Sequence, residues 1–228
     1  MKRFFSILFV MLVSLYSFAQ NDVTKFLGIP VDGTEAQMRS KLLAKGFKVN
    51  EYDKDALSGQ FNGESVEVFV VTNNNKVYRI MVADKDTRDE ANIRIRFNRL
   101  IDQFNRNERY VPLDNNPISE DEDISYEMTV RNKIYEATFF QTIDMEKVDS
   151  LSMFQMVAEE VVNNYTEDEL KALGEEKVKE IFEQAAVAVY MKKAAMKSVW
   201  FRISRYGSKF YIVMYYDNRY NMADGEDL

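Results

Sequence analysis

The side chains best suited to chemistry in this sequence are carboxylates, and they gather in two places. Asp121 and Asp123 belong to an acidic run inside a loop rich in asparagine and proline, and Asp217 and Asp224 belong to the C-terminal tail "YYDNRYNMADGEDL". Hard cations such as calcium bind several oxygen atoms at once. These four aspartates are therefore the candidate metal ligands of the sequence.

Neither stretch contains a calcium-binding loop motif. An EF-hand loop requires oxygen ligands at positions 1, 3 and 5 and glycine at position 6, but counting from Asp217 places Arg219 third and Met222 sixth. A tail that folds back to complete a discontinuous site stays open. The alternative, which we favour, is that runs of neighbouring acids repel one another and stay solvated.

The amino-acid composition excludes whole classes of reaction. The chain contains no histidine and no cysteine, which excludes Ser-His-Asp triads, Cys-His pairs, histidine metal sites and disulfides. No glycine-rich phosphate loop is present either, and no cofactor is expected. A hydrolase based on carboxylates stays open, since a glycosidase needs only two facing acids, but 37 acidic residues supply pairs by chance and no pair can be chosen.

Aromatic side chains concentrate near the C-terminus and form the candidate interaction surface. Trp200, Tyr215, Tyr216 and Tyr220 lie in or just after two apolar runs that predict a hairpin. Tyrosine and tryptophan suit interfaces because each buries a large area and keeps a polar atom accessible. Alternation places Trp200 and Phe201 on opposite faces, and likewise separates Tyr215 from Tyr216. We favour burial of this hairpin under a helix at residues 175–197 over exposure to a partner.

The N-terminus predicts export from the cytoplasm. "MKRFFSILFVMLVSLYSFAQ" combines two basic residues, a short apolar stretch and small residues before a cleavage point, which is the layout of a signal peptide at residues 1–19. We expect a periplasmic or secreted protein. A lipoprotein is not expected, because lipid attachment requires a cysteine, and no later run is long enough for a membrane span. The formal net charge of −7 argues against nucleic acid or an anionic membrane as partner.

Helix and turn signals are clear in the first half of the mature chain. The capping box Thr34-x-x-Gln37 begins a helix that Gly46 ends. Asn62-Gly63 predicts a tight hairpin, and the asparagines at 73–75 predict a second turn. A second helix, predicted to start at Thr87, carries an apolar stripe at positions 93, 97, 100, 101 and 104. Its arginines are expected on the solvated face.

The second half has a predicted loop followed by hairpins and helices. Prolines and acids predict a loop at residues 107–123. Alternation over 124–130 and 133–143 predicts a hairpin that turns at Asn132. Helices are predicted at 145–165 and from Thr166 to about 197, with a break near Gly174, followed by the aromatic hairpin.

This order of elements predicts an α+β fold, with an antiparallel sheet or sheets of meander and hairpins packed against about four helices. We expect residues 20–228 to form a single domain. The loop at 107–123 is the only seam that the sequence suggests.

The segment "GTEAQMRSKLLAKGF" and the strands after it, within residues 27–84, resemble the helix-plus-meander modules of the BamE and β-lactamase-inhibitor-protein type. Those are small exported α+β units that bind proteins through sheet and loop surfaces, and the resemblance transfers no binding residue. With "FLGIPVDGT" and the tail, the chain also resembles uncharacterised exported proteins of Bacteroides-like bacteria. That resemblance implies a compartment, and it makes Ser150, in Asp149-Ser150-Leu151, a candidate O-glycosylation site. Ser150 as a helix cap is the alternative.

The sequence favours a binding function without catalysis. Export, the missing catalytic residue types and the aromatic hairpin together predict a binding or interaction module of the cell envelope, with an envelope protein or a glycan as partner. The alternatives are the carboxylate-dependent hydrolase and a calcium-stabilised envelope component.

Overall fold

The computed structural model of the chain describes residues 22–145 and 149–223. The predicted signal peptide, residues 1–19, and Asp224 lie outside these residues. The described chain forms the predicted α+β fold, with antiparallel strand pairing throughout. Within this part of the chain, no helix has both the length and the apolar character needed to cross a membrane.

Ten strands form in the described residues: β1 Lys25–Phe26, β2 Ile29–Pro30, β3 Lys48–Val49, β4 Ala56–Phe61, β5 Glu64–Asn73, β6 Lys76–Asp84, β7 Tyr110–Leu113, β8 Glu136–Gln141, β9 Ser198–Tyr206 and β10 Lys209–Asp217. The helices of the same residues are α1 Glu35–Ala44, α2 Glu90–Asn105, α3 Ile124–Val130, α4 Ser150–Asn164, α5 Glu167–Ala172, α6 Glu175–Ala195 and a short 3-10 helix, η1 Arg219–Asn221.

One eight-stranded sheet organises the structure, in the order β3-β4-β5-β6-β10-β9-β8-β7, and β1 and β2 form a separate small hairpin. The first four strands are an N-terminal meander, which joins the C-terminal hairpin where β6 pairs with β10, with Ile80 opposite Tyr216. Strands from before and after residues 107–123 are therefore hydrogen-bonded in the same sheet.

Local chemistry sets the first helix and the tight turns as predicted. Thr34 and Gln37 form the capping box of α1, and Gly46 ends the helix with a φ of 97°. Asn62 and Gly63 connect β4 to β5 with φ values of 51° and 79°, the left-handed region that a type I′ turn requires.

The second helix confirms the predicted apolar stripe but corrects two details. Its N-cap is Asp89 and not Thr87, because the Asp89 carboxylate accepts a hydrogen bond from the amide of Asn92. Arg96 is buried, and its predicted place on the solvated face is wrong. The guanidinium of Arg96 lies 3.3 Å from the buried carboxylate of Asp84, and a buried charge requires such a partner.

Residues 107–123 contain regular structure that the sequence did not predict. Residues Tyr110–Leu113 form β7, an edge strand that pairs with β8. Pro112 is compatible with this position because an edge strand leaves half of its backbone groups outside the ladder.

Residues 124–130 form helix α3, and the predicted hairpin at Asn132 is wrong. The carboxylate of Asp123 accepts a hydrogen bond from the amide of Tyr126 and caps the helix. A distant residue adds to this, since Glu90 accepts a hydrogen bond from the amide of Ile124 at 2.9 Å. Two carboxylates at a helix N-terminus outweigh the strand-like alternation of the sequence.

The helical segment from 150 to 195 has the predicted break at Gly174, which is the N-cap of α6. Helix α4 begins at Ser150, and the part of its predicted range at 146–148 lies outside the described residues. Asp149, and not Ser150, caps this helix by accepting hydrogen bonds from two backbone amides. The glycosylation of Ser150 stays a prediction.

Helix α2 covers one face of the central strands. Phe97 packs on Phe201 with ring centroids 5.2 Å apart, and Phe104 stacks on Phe139 at 4.7 Å. Helix α6 instead packs through its C-terminal end, where Ala194 forms a small apolar cluster with Phe140 and Ile143. The prediction that the helix at 175–197 covers the aromatic hairpin is therefore wrong: α2 covers this face of it, and Tyr215 and Tyr216 are buried.

Candidate functional site

A cleft of about 1000 Å³ lies beside this core. Seven segments of the described chain contribute to it: the β1–β2 hairpin, the β4–β5 turn, the end of α2, β7, the end of β8 with the residues after it, the α6–β9 connection and strand β10. Its apolar lining comes from Leu27, Phe61, Phe104, Ile143 and Met214. A concave site of this size with a few polar groups is typical of ligand pockets in proteins.

Two tyrosines at the cleft lie next to each other. Tyr216 of β10 is 3% exposed and packs against Phe26, with ring centroids 4.9 Å apart. Burial raises the pKa of Tyr216 and of Tyr110, and the Tyr110 hydroxyl accepts a hydrogen bond from Gln141 Nε2 at 3.4 Å. Both phenols are therefore neutral at physiological pH, and they add hydroxyl groups to an otherwise apolar region.

A glutamine fixes the N-terminal segment as one wall of the cleft. The side chain of Gln141 accepts a hydrogen bond from the backbone amide of Lys25 and donates one to its carbonyl, both at 2.7 Å. This pairing imitates a strand contact and holds Lys25 at the cleft. The ammonium of Lys25 lies 3.9 Å from the carboxylate of Asp144.

A buried ion pair attaches the start of the described chain to the same wall. Lys197 Nζ donates to Asp22 Oδ2 at 2.6 Å and to the carbonyl of Thr142 at 2.7 Å. Burial lowers the pKa of the Lys197 amine, because it disfavours the charged form. Burial acts in the opposite direction on Asp22, but the amide of Asp144 and the ammonium of Lys197 outweigh it and lower the pKa of this carboxyl.

Side-chain amides form the rim of the cleft. Asn62 Nδ2 donates to Gln103 Oε1 at 2.8 Å, and Asn107 Oδ1 accepts from the amide of Arg109 at 3.2 Å. A carboxamide has two donor hydrogens and an acceptor oxygen. Among the described residues, Asn62 Oδ1, Gln103 Nε2 and Asn107 Nδ2 have no hydrogen-bond partner in the protein, so the rim offers both donors and an acceptor.

The predicted aromatic residues do not form one site. Trp200 and Tyr215 stack on the sheet face opposite α2, with ring centroids 4.0 Å apart. Arg79 lies over Tyr215 and forms a bidentate ion pair with Asp217, at 2.6 and 2.8 Å. Trp200 Nε1 donates to the same carboxylate at 2.9 Å.

The other two predicted aromatics lie apart from this cluster. Tyr216 points to the opposite face of β10 and lines the cleft, and Tyr220 is in η1, 37% exposed. Alternation along the strand predicted that Tyr215 and Tyr216 would separate.

The predicted metal ligands that the structure describes are bound to groups of the protein itself. Asp121 accepts a hydrogen bond from Ser119, Asp123 caps α3 and Asp217 is paired with Arg79. Over residues 22–145 and 149–223, no group of three or more His, Cys, Asp or Glu side chains is placed to hold a metal ion.

Apart from Tyr216, the cleft residues were not identified from the sequence, because their partners are far apart in the chain. Lys25 and Gln141 are separated by 116 positions and Asp22 and Lys197 by 175. One local signal was present: Lys197 follows the apolar end of a helix and precedes an apolar strand, and a lysine in such a position requires a buried partner.

Comparison of the chain with protein-family models, with curated proteins and with solved structures gave no match. The cleft and its chemistry therefore carry the functional argument.

Proposed function

We propose that this protein is a binding module of the cell envelope, exported through its N-terminal signal, and that the cleft is its ligand site. The observation that carries the proposal is the cleft itself, with apolar side chains, two tyrosines and a rim of unpaired amides in its lining. Its volume of about 1000 Å³ suits a small molecule or a short glycan chain.

The acidic residues at the cleft support binding over hydrolysis. Glycoside hydrolysis uses two carboxyl groups, roughly 5 to 9.5 Å apart, on either side of the scissile bond. Of the described residues that line the cleft, Asp144 alone is acidic. The carboxylate of Asp22 does not line the cleft, and it is ion-paired with Lys197.

A substitution that fills the cleft tests the proposal. Gln103 is exposed on α2 and lines the cleft, whereas Asn105, at the end of the same helix, is exposed and does not line it. Gln103→Trp should block the site, and Asn105→Trp is the matched control because it makes the same change of residue type elsewhere on the helix.

Both variants and the unsubstituted protein are titrated calorimetrically with a panel of oligosaccharides and polar metabolites. We expect at least one compound whose affinity falls about tenfold or more in Gln103→Trp and is unchanged in Asn105→Trp. Compounds that bind equally to all three proteins would place the site elsewhere. Products detected by mass spectrometry after incubation would favour the hydrolase.

A further inference from the structure

We infer that the cleft recognises an acidic saccharide, a sugar with several hydroxyl groups and one carboxylate or phosphate. This inference rests on the proposed function and adds the class of ligand. Two independent properties of the cleft lead to it: its surplus of positive charge and the hydrogen-bonding groups that its rim leaves unused.

The charge of the cleft is opposite to that of the whole chain. The chain has a formal net charge of −7, yet among the described residues the cleft is lined by Lys25, Arg109 and Lys197 against one carboxylate, that of Asp144. The charge of Lys197 is balanced by Asp22. A local surplus of cations in a concave site attracts an anion, even on an acidic protein.

Arg109 is the cation best placed to bind a ligand. It is exposed at the cleft and forms no ion pair with any described residue. Lys25, at the other wall, is 3.9 Å from Asp144, a distance too long for a hydrogen bond. A guanidinium group offers paired donors that match a carboxylate or a phosphate. The Arg109 guanidinium therefore binds the acidic group of the ligand, and Lys25 lies at ion-pair distance from Asp144.

The rim amides provide hydrogen bonds for the hydroxyl groups of the sugar. Asn62 Oδ1 can accept, and Gln103 Nε2 and Asn107 Nδ2 can donate, to a ligand in the cleft. A sugar hydroxyl both donates and accepts, so it satisfies either kind of group. A lipid or other apolar anion would cover these amides without pairing them, which is unfavourable. The apolar lining, with Phe61, remains to contact the carbon skeleton of the sugar ring.

Matched pairs of ligands test the charge separately from the sugar. The probes are galacturonic acid and its methyl ester, and galactose 1-phosphate and galactose. Each pair differs only in the charged group, and the two pairs distinguish a carboxylate from a phosphate. Binding to the unsubstituted protein is measured by calorimetry at low salt and at about 300 mM salt, where charges beyond about 6 Å are screened.

We expect at least one charged probe to bind about tenfold more tightly than its neutral counterpart at low salt, and to lose most of this preference at high salt. Arg109→Gln should abolish the preference. Arg99→Gln should retain it, because Arg99 is an exposed arginine of α2 that does not line the cleft. Circular dichroism verifies that both variants are folded.

Other results overturn the inference in distinguishable ways. If the acid and its ester bind equally and Gln103→Trp abolishes both, the cleft is a ligand site but does not select an anion, and the proposed function stands. If a charged probe binds and neither Gln103→Trp nor Arg109→Gln weakens it, the ligand site is elsewhere and both proposals are wrong. If no probe binds, the acidic saccharide is excluded as the ligand.

Discussion

The buried pair of Lys197 and Asp22 gives the most direct test of how the N-terminal segment is held. The side chains are 4% and 9% exposed, and Nζ lies 2.6 Å from Oδ2. Lys197→Met keeps most of the side-chain volume but leaves the carboxylate without a cation. Removing one partner of a buried pair costs about 3–5 kcal/mol.

We expect the lower end of that range, about 3 kcal/mol, because Asp22 keeps the hydrogen bond from the amide of Asp144. In a chain of this size the loss should lower the melting temperature by about 6–12 °C. Fluorescence of Trp200, the sole tryptophan, reports unfolding by urea or heat because its ring is stacked on Tyr215 in the native sheet.

The double variant Asp22→Asn with Lys197→Met distinguishes the cost of an unpaired buried charge from the cost of losing the lysine side chain. A neutral amide at position 22 leaves no buried charge, so the double variant should be more stable than Lys197→Met alone. A loss below about 0.5 kcal/mol in Lys197→Met, or a double variant no more stable than Lys197→Met alone, would contradict the reasoning.

Three further predictions follow from other parts of the structure. Gly59→Ala should destabilise the fold by about 1–3 kcal/mol, measured by urea denaturation, because the added methyl group would overlap the ring of Phe47. Burial alone would raise the pKa of Glu90, but hydrogen bonds from Ser125 and the amide of Ile124 lower it, so its contribution to stability is present above about pH 4.3 and is lost as the pH falls through the folded pKa. The stability difference between the protein and Glu90→Gln, measured by thermal melts from pH 7 to pH 3, should therefore shrink, and a constant difference would contradict this. A chelator should leave the melting temperature unchanged, because the described candidate metal acids are already hydrogen-bonded or paired within the protein, and a clear drop would favour the calcium-stabilised alternative.

The elements that were predicted correctly depend on contacts between near neighbours in the sequence. Thr34 and Gln37 form a capping box with each other, and Asn62 and Gly63 need only their own backbone conformation. Such signals act within one turn of chain, so no tertiary structure is needed to recognise them.

The wrong predictions involve partners that the local pattern does not show. Residues 124–130 alternate like a strand, but Glu90, more than thirty positions earlier, accepts a hydrogen bond from the amide of Ile124 and stabilises a helix. Arg96 is at a helix position that predicts exposure, but it is buried, and its charge is paired with the carboxylate of Asp84 in β6. Tertiary contacts overrode local preference in both cases.

The cleft depends most on contacts between distant parts of the sequence, and these contacts make it rigid. The N-terminal hairpin is part of the core as well as a wall of the cleft, since Phe26 is completely buried and packs on Phe61 and Tyr216 at 5.1 and 4.9 Å. Opening this wall would expose those rings and would also break the pairing of Gln141 with Lys25. The wall therefore cannot act as a loose lid, and the cleft is formed before a ligand arrives. A preformed site spends little of its binding energy on ordering the protein, so the ligand proposed for this cleft would keep most of the free energy of its contacts with the exposed amides and Arg109.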